Sequence, residues 1–197
     1  MADKLIIFDC FGVIFEEVAP TFLRKFLAED KALIKKYLPA EEADILKEKL
    51  FVPADLGEVT YDELLTNMAE ALKLDREEMI KEWNAMFILR ESIIPIIKAL
   101  GEKHDVILLS NAPLGVVEGA FEKHGLTPLF KKMFISCNLG LAKPDKAIYQ
   151  HCVSEMGKAY DEIYMIDDNW SNLEHLPEIG ITPVHFKGDD SVLEMLM

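Results

Sequence analysis

The chain has 197 residues, half of them hydrophobic, and a formal net charge of −14 from 35 acidic and 21 basic side chains. That is enough apolar material for one core with a small second lobe. The charge argues against a nucleic-acid backbone or an anionic membrane as partner, but not against a small anion, which responds to local groups. No apolar run approaches the roughly 18 residues of a membrane span. Met1-Ala2-Asp3-Lys4 lacks the basic-then-apolar pattern of a signal peptide, so a cytoplasmic location is expected. Cys10, Cys137 and Cys152 are odd in number and widely spaced, which fits reduced thiols rather than a disulfide framework. The five histidines form no H-x-x-x-H cluster, which argues against zinc.

Leu5 to Phe8 is a short, unbroken apolar run, the pattern of a strand buried on both faces. It ends in Asp9, and Gly12 permits a tight turn just beyond. Helical spacing follows over Pro20 to Ala28, Ala32 to Leu38 and Ala40 to Phe51, and Gly57 breaks the chain. Thr60-Tyr61-Asp62-Glu63 is a capping-box pattern opening a helix to Leu72. Asp75 is placed to cap another that runs through Trp83 and Phe87. From Ser92 strands and helices alternate. Strands are expected at Val106–Leu109, Met133–Ile135, Ile163–Ile166 and, at an edge, Pro183–Phe186. Helices are expected at Ile93–Lys103, Pro113–His124, Asp145–Met156, Ser171–Ile179 and Ser191–Leu196. Such alternation implies a parallel sheet covered on both faces. The helical block inserted after the first strand would sit above Asp9.

Four stretches carry candidate chemistry. Asp9 ends the first strand, where ligands bind in open α/β sheets; a turn-forming Asp is the plainer explanation. Ser110-Asn111-Ala112-Pro113 joins a strand to a helix and could bind an anion through a hydroxyl and a helix N-terminus, or could simply cap that helix. Lys143 precedes Pro144, which favours an extended backbone from which the ammonium could reach back over the sheet; a solvated loop lysine is the alternative. Asp167-Asp168 are adjacent carboxylates at a strand end, costly unless a cation joins them, though an acidic helix start also accounts for Asp168 and Asn169. Together they supply a carboxylate nucleophile, an anion site, a lysine and a dicarboxylate for Mg²⁺, which is the inventory of phosphoryl transfer.

The order Asp9, Ser110, Lys143, Asp167-Asp168 resembles the four motifs of the haloacid dehalogenase-like (HAD) hydrolase superfamily, over nearly the whole chain. Ser110-Asn111, Leu139-Gly140 with Lys143-Pro144, Ile148-Tyr149-Gln150, and Asp167-Asp168-Asn169 with Asn172 are most similar to its α-D-glucose-1-phosphate phosphatase branch. The resemblance implies an α/β fold: a Rossmann-like parallel sheet core, residues 1–15 and 90–197, with an inserted all-helical cap, residues 16–89. The sequence leaves monomer or homodimer open; the resemblance implies a Mg²⁺-dependent phosphatase acting on a small phosphorylated metabolite such as a sugar phosphate. In it Asp9 attacks phosphorus and forms an aspartyl-phosphate that water hydrolyses. Asp9, the Phe11 backbone carbonyl, Asp167 and Asp168 hold the metal. Ser110 and the backbone around Asn111 bind phosphoryl oxygens, Lys143 neutralises charge, and Asn172 steadies the last motif.

One departure matters. Many phosphatases of this superfamily place a second Asp, a general acid, two positions after the nucleophile; here that position is Phe11. Losing a positioned acid typically costs about 10²–10⁴-fold. The glucose-1-phosphate phosphatase branch also lacks it, which implies a better leaving group, or protonation by water or a cap residue. Three rivals follow: a metal-independent 2-haloacid dehalogenase, with Arg24 as its one candidate halide receptor; a catalytically weakened phosphate-binding or regulatory protein; and, more weakly, a phosphomutase. Trp83, Met86 and Phe87 could line a closed pocket or form the packed face of a cap helix, and Trp170 could border the site, help a self-association surface, or simply pack.

Overall fold

The computed structural model describes residues 3–16, 47–85 and 87–197. The expected helices at 20–28 and 32–38, most of that at 40–51, and the candidates Arg24 and Met86 lie outside the described residues. The chain enters β1 (Lys4–Phe8) directly. A π-helical turn at Lys47–Phe51 runs into α1 (Val52–Asp55), followed by α2 (Tyr61–Leu72) and α3 (Arg76–Ala85). Then come α4 (Ile93–Gly101), β2 (Asp105–Ser110), α5 (Val116–His124), β3 (Lys132–Ile135), α6 (Ser136–Leu139), α7 (Lys146–Glu155), β4 (Glu162–Asp167), β5 (Thr182–His185) and α8 (Ser191–Glu194).

The five strands form one parallel sheet in the order β3-β2-β1-β4-β5, so the strand ending at Asp9 is central and β5 is an edge. Side chains of β1 alternate between two cores. Ile6 and Phe8 pack with Val106, Leu108, Ile97 and Phe121 on one face. Leu5 and Ile7 pack with Ile107, Leu109, Tyr149 and Met165 on the other. Full burial of each such side chain contributes about 1.5–3 kcal/mol. Both faces are covered, which is why these strands read as unbroken apolar runs rather than alternating ones.

Residues 51–85 build a third apolar cluster from Ala54, Leu64, Met68, Met79 and Trp83. Thr60 and Glu63 close the capping box: Glu63 N donates to Thr60 Oγ1 at 3.2 Å, and Thr60 N donates to Glu63 Oε2 at 2.9 Å. Asp75 Oδ1 accepts from Glu78 N at 3.0 Å and opens α3 as expected. The turn at Gly57 lies against the carboxyl end of β3, where a Cβ would come within 2.5 Å of the Cys137 carbonyl oxygen. Only glycine fits there, and its φ of +76° reinforces the requirement.

Three expectations are corrected. The helix expected over 171–179 is two short 3₁₀ turns, Trp170–Asn172 and Leu176–Ile179. The Asn172 carbonyl accepts the Tyr149 hydroxyl at 2.7 Å, and Leu176 N turns back to the Leu173 carbonyl at 3.1 Å, so no α-helical ladder forms. The helix expected from Pro113 begins at Val116 after Gly115, because the Asn111 side chain bonds elsewhere. The helix expected to end at Phe51 is, over 47–51, a π-helical turn followed by a separate α-helix, Val52–Asp55, with Pro53 in that helix's first turn, where its missing N–H costs nothing. The short α6 is an addition that no sequence signal announced.

Candidate active site

Parallel pairing brings the ends of β1, β2 and β4 side by side. Phe8 aligns with Leu108 and Ile166, so Asp9 emerges beside Asp167 with Ser110 one strand away. Strand order reverses at β1, the position where crevices form in open α/β sheets. Asp9 N bonds the Ile166 carbonyl at 2.9 Å, and Asp9 Oδ1 accepts from Cys10 N at 2.7 Å.

Lys143 reaches this edge from the loop between α6 and α7. Its Nζ lies 2.8 Å from Asp9 Oδ1 and 2.7 Å from Asp167 Oδ2, and all three side chains are buried. Asn111 fixes the lysine: Asn111 Nδ2 donates to the Lys143 carbonyl and Lys143 N donates to Asn111 Oδ1, both at 2.9 Å. The Asn111 amide thus serves the lysine loop instead of capping a helix. Asp167 accepts in addition from Asn169 N at 2.8 Å and from Asn172 Nδ2 at 3.1 and 3.0 Å. Asn172 therefore orients the carboxylate facing Lys143.

Asp168 stands over Gly12. A Cβ on Gly12 would meet the Asp168 carboxyl carbon at 2.2 Å, and the φ of +89° is itself a glycine conformation. Oxygens of Asp9, Asp167 and Asp168 all lie within 4.8 Å of one another, the one cluster among the described residues able to hold a metal ion. The donors are hard oxygens, with no thiolate or imidazole in the set, which suits Mg²⁺ rather than a softer ion. The missing Cβ of Gly12 is what leaves room for the third carboxylate.

Burial pushes the Asp9 carboxyl up to about 8; Lys143 opposes the rise and Asp167 adds to it. Burial disfavours the Lys143 charge, but Asp167 and Asp9 outweigh it and hold the ammonium protonated. Burial, then the neighbouring Asp9, push the Cys10 thiol well up, so Cys10 is a packed side chain and not a nucleophile. Ser110 Oγ sits fully buried beside that thiol and, among the described residues, forms no hydrogen bond to nitrogen or oxygen.

Phe11 packs into the apolar side of this edge. Its ring lies 6.1 Å from Phe15 and 5.5 Å from Phe87, and it packs against both the sheet core and the helical cluster. Trp83 belongs to that cluster, 6.1 Å from Phe51 and from Phe87, so it forms a packed helix face. Trp170 is 49 % exposed beside the acidic loop. Two supporting residues escaped the sequence, Ser136, whose buried hydroxyl accepts from Ala112 N at 3.0 Å, and His185, at the end of β5; Tyr149, one of the residues that carry the resemblance, takes an unforeseen part by tying α7 to Asn172. Each acts on backbone from a distant segment, and no local spacing signals that.

A family model for haloacid dehalogenase-like hydrolases matches residues 4–180. A HAD family enzyme of Bacteroides thetaiotaomicron superposes with a TM-score of 0.77 at 20 % identity, over 96 % of this chain and 97 % of that one. A complex of that enzyme with magnesium and inorganic phosphate gives 0.72 at 20 % identity, over 95 % and 96 %. A HAD-like family hydrolase of Porphyromonas gingivalis gives 0.74 at 21 % identity, over 99 % and 97 %. At these identities the likeness speaks for the fold. A curated relative, a drimenol cyclase of Aspergillus calidoustus, is 29 % identical over 68 residues, which span 34 % of this chain but 13 % of that protein. With its parallel sheet, its strand-end carboxylates and a family match across most of its length, the chain belongs to the haloacid dehalogenase-like hydrolases.

Proposed function

We propose that the protein is a Mg²⁺-dependent phosphatase that hydrolyses a small phosphorylated metabolite, a sugar phosphate, through an aspartyl-phosphate on Asp9. The carrying observation is the Asp9 carboxylate, held 2.8 Å from the Lys143 ammonium at the end of the central strand, with Asp167 and Asp168 completing a cation-sized cluster. The metal would be held by Asp9, the Phe11 carbonyl, Asp167 and Asp168. Bound there, Mg²⁺ supplies charge neutralisation between the carboxylates and the phosphoryl group.

The protein's own residues do the rest. A free oxygen of Asp9 attacks phosphorus as the bond to the leaving oxygen breaks; water then cleaves the acyl-phosphate and releases inorganic phosphate. Lys143 holds Asp9 in place and offsets charge on the phosphoryl oxygens. The Ser110 hydroxyl, which lies beside the Cys10 thiol and forms no hydrogen bond to nitrogen or oxygen among the described residues, donates to one of those oxygens. Phe11 offers no proton, which favours leaving groups that depart without strong acid help, such as an anomeric oxygen; this accords with the α-D-glucose-1-phosphate phosphatase branch. Residues 1–15 and 90–197 serve as the catalytic core and 16–89 as a helical cap that selects the substrate. The solved relative with magnesium and inorganic phosphate supports this reading by analogy.

The test is phosphate release from a panel of sugar phosphates with and without Mg²⁺. Release that requires Mg²⁺ is expected, anomeric phosphates being best. Mg²⁺ binding with no release from any compound would instead favour a phosphate-binding regulatory protein, the reading that the Phe11 ring at the acid position supports. The paired Asp167 and Asp168 carboxylates oppose a dehalogenase, since they would repel a carboxylate substrate and a departing halide.

A further inference from the structure

The edge strand β5 ends in His185, a half-buried residue that the proposed chemistry does not use. Its register partner is Asp167, and the next residue, Phe186, donates its N–H to the Asp167 carbonyl at 3.0 Å. His185 Nε2 lies 2.9 Å from the carbonyl oxygen of Asp168. A carbonyl only accepts, so Nε2 carries the proton and donates. The same imidazole faces the Trp170 ring at 5.5 Å. One side chain thus touches the acidic loop at two points, through a backbone oxygen and through a ring.

The location gives this contact its consequence. Asp167 is held by Lys143, Asn169 and Asn172 through its carboxylate. The Asp168 carboxylate rests over Gly12, and the Asp168 main chain is bonded at its carbonyl by His185. A peptide unit anchored at its carbonyl cannot rotate freely about ψ, so the direction in which the Asp168 Cα–Cβ bond leaves the main chain is held, which narrows the positions open to its carboxylate.

The geometry points to His185 as a positioning residue: by holding the Asp168 carbonyl, it keeps the Asp168 carboxylate within the three-acid cluster and raises that cluster's affinity for a divalent cation. Partners that orient ligands in this way typically change metal affinity by about 10–100-fold. The assignment rests on the cation site proposed above.

Two substitutions separate the hydrogen bond from the packing. His185→Phe keeps a ring against Trp170 and removes the donor. His185→Gln removes the ring and keeps an N–H donor. Isothermal titration of the full chain with Mg²⁺ alone should give a dissociation constant about 10–100-fold weaker for the Phe variant and near wild type for the Gln variant. Wild-type affinity in the Phe variant, or equal weakening in both, overturns the assignment, because a purely structural role would follow the ring. Amide exchange over residues 167–172 in the metal-free protein decides the matter independently. It should be faster in the Phe variant and unchanged in the Gln variant. If wild type itself takes up no Mg²⁺, the cation reading fails, while the exchange result still upholds or overturns the anchor.

Discussion

Asp9 is expensive where it stands, and that expense is diagnostic. Burial, opposed by Lys143 and helped by Asp167, raises its carboxyl to about 8, against roughly 3.9 in an unfolded chain. A carboxyl raised on folding lowers stability as it ionises, so the cost grows as pH climbs from about 4 to about 8. Asp9→Asn should therefore raise the melting midpoint of the metal-free protein near pH 8, by about 2–4 °C for each kcal/mol relieved, while abolishing phosphate release. Calorimetry showing a lower midpoint would mean that Lys143 needs Asp9 more than the fold suffers from it. Gly12 supports the same site by having no side chain. Gly12→Ala places a methyl 2.2 Å from the Asp168 carboxyl carbon, so Asp168 must move. Expected are Mg²⁺ binding weakened at least about tenfold and a loss of stability above about 1 kcal/mol. Titration and denaturant melts read the two effects separately.

Among the elements, β2 has a polar anchor at the end away from the site. Asp105 opens the strand and bonds Lys131 Nζ at 2.7 Å, Lys158 Nζ at 3.0 Å and the Tyr160 hydroxyl at 2.7 Å. Burial works against its charge, but Lys131, Tyr160 and Lys158 together hold its carboxyl down at about 2. A depressed carboxyl contributes stability that is present above about pH 4 and is lost as pH falls through its folded value. Both lysines are largely solvated, which limits the contribution to about 1 kcal/mol or less. The stability gap between wild type and Asp105→Asn should be full at pH 6 and close between about pH 4 and pH 2; a gap constant across that range would exclude the ionic origin.

The same scale explains what was legible. The strands declared themselves because residues buried on both faces must be apolar, and Thr60 and Asp75 marked helix starts through bonds made within four residues. The segment 171–179 misled because its apolar spacing fits a helix, while Tyr149, distant in sequence, takes the Asn172 carbonyl. Asn111 read as a cap for the same reason: its partner, the Lys143 backbone, lies 32 positions away. Ser136 and His185 were invisible because each acts through a single bond to remote backbone.

At the scale of the whole molecule, one edge of one sheet gathers the chemistry. Three neighbouring strands deliver Asp9, Ser110 and Asp167, and the loop after α6 delivers Lys143. That convergence was readable because parallel strands put all their carboxyl ends on the same side. The helical cluster within residues 51–85 meets this edge through Phe11, which packs against it, and through the turn at Gly57. Phe11 packs against both the sheet core and that cluster, so the loop after β1 and the helical cluster share an apolar seam.

The central claim is that Asp9 carries the phosphoryl group during turnover. The direct measurement is an acid quench of the protein during turnover of its best sugar phosphate, followed by peptide mass analysis. Expected is one phosphoryl group on the peptide containing Asp9, formed only with Mg²⁺ and absent from Asp9→Asn. Undiminished phosphate release by Asp9→Asn, with no phosphorylated peptide in wild type, would contradict it.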